Sequence, residues 1–405
     1  MSGVDVSTPA VVAKLVPELF DYQGLGIARS LGRLGVRVLG CHDSLRAPAA
    51  ASRYDSEPQV FAGSGEEGIE FLRELGKRVG RAVLIPTDDV SSVVVAERGD
   101  ELREWFLFPR QPPGLAASLY SKKGMAELCR RLGVPTPETS FPKSRADVEA
   151  FAAEATFPVV LKGIDSWLLA ARTGTRIAIV ESRDELLREY ERLESPEEPN
   201  VMLQEYVPGG PESVWMFNGY FDERSDCLFG VTGRKLRQYP AYTGMTSLGV
   251  VLRNERVARQ TVELMKEVGY RGILDIGWRY DTRDDRYKLL DVNPRLGASF
   301  RLFVGRDGMD VVRAAYLDLT GQKVPSSEAQ EGRKWLVENL DLVSSRRYAR
   351  DGRLRARDWA RSFRGVDEGA WFARDDPKPF ALMCVRFGAQ KARGLTTTAG
   401  RRLRK

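Results

Sequence analysis

The sequence predicts an α/β protein with more than one domain, and three observations indicate this. Short apolar strand candidates alternate with glycine-rich turns and amphipathic helices through residues 1–115, which favours one small domain with a largely parallel sheet. Further strands follow, including a hairpin with a polar tip at residues 271–301. The chain has 405 residues, enough for two or three domains with substantial cores.

The first elements are a strand within residues 10–20, the glycines Gly24, Gly26 and Gly32, and a second strand at 36–40. Strand, glycine turn, helix and strand predict a βαβ unit. The glycines do not keep the G-x-G-x-x-G spacing of dinucleotide-binding proteins, and no acidic residue follows cleanly after the second strand. We therefore favour tight packing at these glycines over binding of a nicotinamide cofactor.

The same domain continues with an amphipathic helix at 67–80 and a buried strand at 81–86. Thr87, Asp88 and Asp89 come directly after that strand. They fit an N-cap for the next helix, or a ligand-binding edge, because open α/β sheets bind ligands at the carboxyl ends of their strands. The N-cap is the simpler interpretation for any one of them.

A lysine in a buried strand marks the next part of the chain. A Pro-Gly boundary at 111–114 precedes a lysine-bearing helix at 121–133, and Lys162 then lies near the end of the apolar strand 157–163. A buried lysine destabilises the folded protein unless its charge is paired with an anion. The small basic loop 172–176 fits either a cover over phosphates, made by backbone N–H groups, or a hairpin turn.

Two further segments place polar groups beside strands. The strand 200–207 runs into a Pro-Gly turn, which leaves backbone groups able to pair with an adenine edge, and Glu212 beyond it is placed to hold ribose hydroxyls. Two antiparallel strands are then followed by the cations Arg234, Lys235 and Arg237. Such a run is a solvated face or a site for phosphate or carboxylate, and the sequence leaves both open.

The hairpin at 271–301 carries the most informative polar residues. Its two strands flank a polar turn at 281–286, and the returning strand contains Asp291 and leads to Asn293. Alternate residues of a strand point the same way, so these two side chains offer adjacent oxygen ligands of the kind that suits Mg²⁺ holding a phosphate chain. Arg295 adds a planar fork for phosphate or acyl-phosphate oxygens. Taken alone, these residues also fit a surface hairpin with a polar end.

The C-terminal part shows the least organisation. A helix at 310–319 is followed by linker-like residues 323–331 and by a tail at 333–405 whose end is basic. We expect an ordinary solvated tail; a disordered end, or weak contact with an anionic membrane surface, are the alternatives.

Composition excludes several classes of protein. The cysteines Cys41, Cys129, Cys227 and Cys384 lie far apart and indicate reduced thiols in a cytoplasmic protein. The single histidine, His42, removes most histidine-based catalysis and disfavours zinc; we expect it in a loop or at a strand end. The net charge of +6 favours anionic ligands without demanding nucleic acid. No apolar run reaches membrane-spanning length, and the N-terminus lacks a signal-peptide layout.

The order of these features resembles the ATP-grasp superfamily over roughly residues 10–320. Four motifs carry the resemblance: Val134-Pro-Thr-Pro137, Phe157-Pro-Val-Val-Leu-Lys162, Gln204-Glu-Tyr-Val-Pro-Gly209 and Leu290-Asp-Val-Asn-Pro-Arg295. Within the superfamily the chain looks most like the carboxylate–amine ligases related to D-aspartate ligase, and more distantly like the large subunit of carbamoyl-phosphate synthase.

The resemblance implies an ATP-grasp fold preceded in the chain by a Rossmann-like pre-ATP-grasp domain. The fold class would be α/β, with α+β structure in the lid and the core. It implies four segments: the N-terminal domain at 1–115, a helical segment and lid at 116–200, the core with the metal hairpin at 201–325, and a C-terminal extension at 326–405.

The resemblance also implies a role for eleven residues. The ATP phosphates would be contacted by Lys122 (or the adjacent Lys123) and Lys162. The adenine pocket would be lined by Gln204, Glu205 and the Val207 backbone, and the ribose would be contacted by Glu212.

For the chemistry, the resemblance implies Lys235 and Arg237 at phosphate or at the substrate carboxylate. It implies Arg295 at the acyl phosphate and the tetrahedral intermediate. Mg²⁺ (or Mn²⁺) would be bound by Asp291 and Asn293, with Asp275 as a candidate third metal ligand.

Two departures from the family pattern bear on catalysis. Gly277 stands where the family usually has a carboxylate or glutamine, so Asp275 on the same strand face substitutes for it or the second metal is weakened. Asp291 stands where many members have glutamate.

The implied activity is ATP-dependent joining of a small-molecule carboxylate to an amine, with an amino acid or peptide as the default substrates. The alternatives are a catalytically impaired ATP-binding regulatory or scaffold homologue, and a nicotinamide-dependent enzyme. The oligomeric state is left open, a homodimer being one option.

Overall fold

The computed structural model describes residues 3–63, 65–195, 197–242 and 244–402, with side chains for all of these except 65–66, 166–167 and 393–402. The chain forms two compact units. The first consists of Met1–Pro112, Met216–Asp275 and Asn293–Lys405, and the second of Pro113–Trp215 and Ile276–Val292. Each is described by itself below.

The N-terminal part of the first unit is a parallel sheet with helices. Its elements are β1 (Ala10–Ala13), α1 (Tyr22–Gly32), β2 (Val38–His42), β3 (Gln59–Val60), α2 (Gly65–Val79), β4 (Ala82–Pro86), α3 (Asp89–Arg98) and β5 (Phe106–Leu107). The strand order is β3-β2-β1-β4-β5, with every neighbouring pair parallel. All residues of β1 and β2 are buried, as expected for strands covered on both faces. The predicted βαβ unit and the predicted strand end at His42 are therefore confirmed.

The glycines after β1 lie inside α1, so the predicted glycine turn is wrong. Asp21 is the N-cap of this helix, and its side chain accepts a hydrogen bond from the Gly24 backbone N–H. A Cβ atom added at Gly26 would lie 3.0 Å from the Phe300 ring. Close approach of side chains therefore explains a glycine at this position. The N-cap interpretation of Asp88 is confirmed, because its side chain accepts from the Ser91 backbone N–H at 2.9 Å.

The second unit begins with helices and a four-stranded antiparallel sheet. Its elements are α4 (Leu115–Tyr120), α5 (Lys122–Leu132), β6 (Thr139–Ser140), α6 (Arg145–Glu154), β7 (Val159–Gly163), α7 (Ser166–Thr173), β8 (Ile177–Val180), α8 (Arg183–Leu193) and β9 (Val201–Glu205). The strand order is β6-β9-β7-β8.

A helix lies where the sequence suggested only a loop between β7 and β8. The helix α7 extends through Arg172 and Thr173, and three residues, 174–176, connect it to β8. The Asp165 carboxylate accepts from the Leu168 backbone N–H at 3.0 Å near the start of this helix. A run of leucine, alanine and arginine favours helix, which the sequence analysis overlooked.

The chain then forms antiparallel strands and the hairpin. These elements are β10 (Val214–Phe221), β11 (Cys227–Tyr239), β12 (Met245–Val251), α9 (Glu255–Glu267), β13 (Gly272–Asp281), β14 (Arg286–Asn293) and α10 (Val311–Leu319). The predicted hairpin is confirmed as β13 and β14. The cationic run around Lys235 lies within the 13-residue strand β11.

The C-terminal residues are folded, so the expectation of a solvated tail is wrong for most of them. They form β15 (Lys334–Leu336), α11 (Glu338–Arg350), α12 (Ala356–Ser362), β16 (Val366–Gly369) and α13 (Lys378–Arg402). The strands β15 and β16 complete a seven-stranded sheet in the order β14-β13-β10-β11-β12-β15-β16. Trp335 and Trp371 are 1% and 0% exposed in the main core, and burial of such large side chains is strongly stabilising. Residues 403–405, the last of the predicted basic end, lie outside the described residues.

Within the described part of the chain, no helix combines the length and the apolar character needed to cross a membrane. The four cysteines are free thiols: Cys41 and Cys129 are buried, and Cys384 is exposed. Burial raises the pKa of the Cys41 thiol to about 12, which makes it unreactive at neutral pH.

Candidate nucleotide and metal site

A pocket in the second unit lies on one face of the neighbouring strands β7 and β9, whose side chains point alternately to the core and to the pocket. In β7 and β9 the residues Val159, Leu161 and Leu203 face the core of this unit and are fully buried. Lys162 is paired with Met202 across the strands, on the opposite face. That face opens onto a pocket lined by Lys122, Met125, Ala126, Thr136, Thr139, Lys162, Met202, Gln204, Leu289 and Leu290.

Two lysines meet at this pocket. Lys122 is the first residue of α5, and its ammonium donates to the backbone oxygens of Gly163 at 2.7 Å and Ile164 at 2.8 Å. Lys123, beside it, is exposed and does not line the pocket. Burial and the neighbouring Lys122 lower the pKa of Lys162 to about 8, and the Asp291 carboxylate only partly opposes them. Burial also lowers the pKa of Lys122, again opposed by Asp291.

A neighbouring cation that lowers the pKa of a buried lysine favours an anion at the same place. The pocket combines these cations with the apolar side chains of Met125, Met202 and Leu289 and with the amide of Gln204, which donates to the Thr139 hydroxyl at 3.0 Å. An apolar pocket with a few polar groups at one side is the usual form of a small-molecule site. The arrangement suits a ligand with a flat apolar part and a phosphate chain.

The side chain of Glu205 belongs to a cluster of ion pairs, and its expected role at adenine stays a prediction. Its carboxylate accepts from Lys288 at 3.0 Å and from Arg283, and the same two cations also pair with Asp281. Burial opposes ionisation of Glu205, but hydrogen bonds from the Glu138 backbone and Lys288 lower its pKa. This cluster fastens β9 to the hairpin within the second unit, and Glu205 does not line the pocket.

The residues that follow β9 differ in their exposure to solvent. Val207 is 4% exposed, and Glu212 is exposed and accepts from the Gly210 backbone N–H at 3.0 Å. Arg279 donates to the Gly209 backbone oxygen and lies 5.9 Å from the centre of the Tyr206 ring. Roles for Val207 and Glu212 at adenine and ribose stay predictions.

In the first unit, three predicted residues lie near the ends of the hairpin strands. The Asn293 amide lies 3.5 Å from the Asp275 carboxylate, and both are partly buried. A Cβ atom added at Gly297 would lie 2.4 Å from the Asp275 carboxyl carbon, so only glycine fits there. The Arg295 guanidinium forms an ion pair with the Asp89 carboxylate and donates to the Leu296 backbone oxygen at 3.0 Å.

Gly277 leaves room for the carboxylate that the family pattern expects. A Cβ atom added there would meet nothing within 4 Å. Asp291 and Asn293 belong to the same strand, two residues apart, with Asp291 exposed. Among the described residues no three histidine, cysteine, aspartate or glutamate side chains form a metal site. Mg²⁺ at phosphates is commonly held by one or two carboxylates together with substrate oxygens, so the residues present fit that type of site.

The cations of β11 are already paired. The buried Arg237 guanidinium binds both carboxylate oxygens of Asp341, at 2.7 and 2.9 Å, and donates to the Ser362 hydroxyl at 2.9 Å. The Lys235 ammonium donates to the Gly244 backbone oxygen at 3.1 Å. A role for these two residues at the substrate stays a prediction. The contacts of Arg237 with Asp341 and Ser362 argue against a substrate role for Arg237.

Sequence reasoning overlooked several residues that line the pocket. Met202 lies between Val201 and Leu203, two core residues, and alternation along the strand places it beside Gln204, so a stricter reading of the pattern would have found it. Thr139 and Leu289 carry no comparable signal, since only the fold brings them to β9.

Comparison with known proteins adds to this geometry. No protein-family model matches the chain. The D-aspartate ligase of Enterococcus faecium (strain Aus0004) is 25% identical over 311 residues, which cover 72% of this chain and 73% of that protein. The N-terminal section of the Methanopyrus kandleri carbamoyl phosphate synthase large chain is 23% identical over 362 residues, 80% of this chain and 57% of that one.

One solved structure is similar to this chain in fold. It is the dimeric biotin carboxylase domain of the Hydrogenobacter thermophilus 2-oxoglutarate carboxylase, in complex with MgADP, ADP and bicarbonate. Its TM-score is 0.59 at 18% identity, over 79% of this chain and 71% of that one. These relatives, together with the shared fold, indicate the ATP-grasp superfamily of carboxylate–amine ligases.

The predicted superfamily, fold and enzyme class are thus confirmed. The chain spans 73% of the first relative but 57% of the second, so the activity of either whole protein is not carried over directly.

Proposed function

We propose that this ligase binds ATP and Mg²⁺, activates a carboxylate as an acyl phosphate, and joins it to an amine. The observation that carries the proposal is the pair of lysine ammonium groups at one pocket, with the pKa of Lys162 lowered to about 8. Bound phosphates would offset the repulsion between Lys122 and Lys162. Ligand binding would therefore remove an electrostatic destabilisation of the ligand-free protein. The apolar lining beside Gln204 suits the base.

In the proposed reaction, a carboxylate oxygen attacks the γ-phosphorus of ATP and the bond to ADP breaks. The amine nitrogen then attacks the acyl carbon, phosphate leaves, and the nitrogen loses a proton. Lys122 and Lys162 would hold and neutralise the phosphates, and Arg295 would stabilise the acyl phosphate and the tetrahedral intermediate. Positioning and charge neutralisation are what phosphoryl transfer needs from a protein, so a chain with one histidine is adequate for it.

The metal would lie on the oxygens of Asp291, Asn293 and Asp275. Mg²⁺ supplies neutralisation of the negative charge on the transferring phosphoryl group. Mn²⁺ prefers the same oxygen ligands and is expected to substitute.

We propose an amino acid as the carboxylate and an amino acid or peptide as the amine. The match to a protein named D-aspartate ligase, over 73% of its length, makes D-aspartate the first carboxylate to test. The four-segment division, the cytoplasmic location and the oligomeric state remain predictions from the sequence.

The test is phosphate release from ATP and Mg²⁺ by the purified protein with amino acids offered in pairs, D-aspartate among them. We expect release that depends on one pair and falls at least about 100-fold in Lys162→Ala and in Asp291→Ala. The control, Lys123→Ala, removes an exposed lysine beside Lys122 and should keep full activity. Pair-dependent release that survives in Lys162→Ala would contradict the assignment of this pocket.

Gly277 favours a second candidate, a homologue that binds ATP but has lost most of its catalysis. Thermal shift with ATP and Mg²⁺ distinguishes the two, since the second candidate shows stabilisation by ATP without release from any pair. Because the space beyond Gly277 is open, Gly277→Glu should fold normally. If the missing carboxylate limits catalysis, this substitution raises phosphate release; unchanged release would show that Asp275 already suffices.

A further inference from the structure

The C-terminal helix α13 is attached to the first unit by one face. Phe380, Met383 and Phe387 lie three and four residues apart, so they share a side of the helix. Met383 is 3% exposed, and all three pack in the main core. The ring of Phe387 lies 6.0 Å from that of Phe20 in an edge-to-face arrangement. This face fixes the helix on the protein.

The opposite face of α13 is apolar and exposed. Leu382 is 38% exposed and Val385 is 69% exposed, and Ala389 and Ala392 are exposed as well. The spacing of three, four and three residues places these four side chains in one stripe. Beside the helix, Phe372 is 48% exposed, with its ring 5.5 Å from that of Phe380. A stripe of this kind beside an exposed aromatic ring is more typical of an interaction surface than of a solvated helix.

The same segment has a one-sided charge. Residues 378–405 contain eight lysines and arginines and no aspartate or glutamate, which exceeds the net charge of +6 of the whole chain. Lys378 and Lys391 are exposed on the described part of the helix. Six of these eight cations lie within the bounds of α13, the element that carries the exposed apolar stripe.

We propose that α13 docks this ligase on the surface of an anionic lipid bilayer. The helix would lie in the plane of the surface, with Leu382 and Val385 at the boundary between headgroups and acyl chains and the basic side chains at the lipid phosphates. A helix of 25 residues with an exposed apolar stripe and a strongly basic character is typical of interfacial membrane binding. This inference goes beyond the ligase reaction and does not depend on it.

Charge favours lipid over two other partners. A second copy of α13 would bring two strongly basic helices together without any acidic side chain to pair with them, and like charges oppose that contact. A nucleic acid would match the charge, but Leu382, Val385 and the two alanines are aliphatic and offer no ring on which a base can stack. An anionic bilayer satisfies both the charge and the apolar stripe.

The test is co-sedimentation of the full-length protein with vesicles of phosphatidylcholine alone and of phosphatidylcholine with an equal part of phosphatidylglycerol. We expect binding to the anionic vesicles that weakens as salt is added, and little binding to the neutral ones. Val385→Asp and Leu382→Asp should each weaken partitioning by about tenfold, because each places a carboxylate at the acyl boundary. The matched control is Leu45→Asp, at a leucine that is 62% exposed in the turn after β2.

Three outcomes would overturn the proposal. The first is no binding of the wild-type protein to anionic vesicles, or binding that Val385→Asp leaves unchanged. The second is self-association, seen by light scattering without lipid and lost in Val385→Asp, which would make the stripe a subunit interface. The third is binding of duplex DNA that is stronger than binding to vesicles and insensitive to Val385→Asp. Phosphate release, measured in parallel, reports separately on the ligase.

Discussion

Lys162 carries a charge that the folded protein compensates poorly. It stands on a strand whose alternate residues are core, and no hydrogen-bond partner for its ammonium is found among the described residues. Burial and Lys122 lower its pKa to about 8. A side chain that costs stability in the absence of a ligand is typical of a binding site.

We predict that Lys162→Met raises the stability of the ligand-free protein at pH 7 by about 2 kcal/mol, because it removes a poorly compensated charge and keeps an apolar stem. The same substitution should abolish the increase in melting temperature that ATP and Mg²⁺ produce. Chemical denaturation and thermal shift measure the two effects. A purely structural lysine would behave in the opposite way, with loss of stability on substitution.

The pH dependence of this lysine has opposite signs for folding and for binding. The pKa of Lys162 in the folded protein, about 8, lies below the ordinary 10.5. The folded protein therefore loses this proton at a lower pH than the unfolded chain does, and the free energy of unfolding increases as pH rises from about 8 to about 10.5. ATP affinity should fall over the same range, because a neutral amine does not attract phosphate. Isothermal titration of wild type and Lys162→Arg separates the effects, since arginine stays charged; equal pH dependence in both would contradict this role.

At the scale of elements, the tip of the hairpin is fastened to the sheet of the second unit by charge. Lys288 lies between Asp281 at 2.8 Å and Glu205 at 3.0 Å, and Arg283 pairs with both carboxylates. Hydrogen bonds from Arg283 and Lys288 outweigh burial and hold the pKa of Asp281 far below its usual range. The cluster fixes β14, and so the orientation of Leu289 at the pocket.

We predict that Lys288→Met destabilises the second unit by about 2–3 kcal/mol, since it leaves the fully buried Asp281 with one cation in place of two. Urea denaturation followed by tryptophan fluorescence measures the change. The control, Arg286→Met, alters an exposed residue of the same strand and should stay within about 0.5 kcal/mol of wild type. Equal effects of the two substitutions would show that the ion cluster is not what holds the hairpin.

At the scale of the whole chain, the C-terminal segment is part of the first unit's core. Arg29, 2% exposed, binds the Asp376 carboxylate at 2.9 Å and the backbone oxygens of Ala370 and Trp371 at 3.1 and 2.8 Å. These contacts join the first helix of the chain to a segment almost 350 residues later. Removal of the C-terminal segment would expose this core, so the segment is not a dispensable extension.

We predict that Asp376→Ala destabilises the protein by about 3–5 kcal/mol, because it leaves the buried Arg29 guanidinium without its carboxylate. The adjacent Asp375 offers a matched control: its carboxylate pairs with Arg33 at 2.9 Å at a solvent-exposed position, and Asp375→Ala should cost about 1 kcal/mol or less. Guanidinium denaturation of both variants tests the contrast. A difference of less than about 1 kcal/mol between them would refute the proposed importance of the buried pair.

The α/β class, the βαβ unit and the hairpin could be predicted from the sequence alone. So could the positions of Lys162, Gln204 and Asp291 on their strands. These follow from patterns a few residues long: alternation fixes which side of a strand a residue faces, and caps and turns fix where elements end. The motifs built from the same residues also pointed to the ATP-grasp superfamily, which the comparisons confirmed.

Tertiary structure alone decided which charged residues are paired. The sequence gives no sign that Arg237 is held by Asp341, 104 residues away, or that Arg29 is held by Asp376. It likewise failed to show that the C-terminal residues complete a sheet and a core. Hydrogen-bonded partners and buried tryptophans are selected by long-range packing, and burial depends on what the rest of the chain places against a residue rather than on its neighbours in sequence.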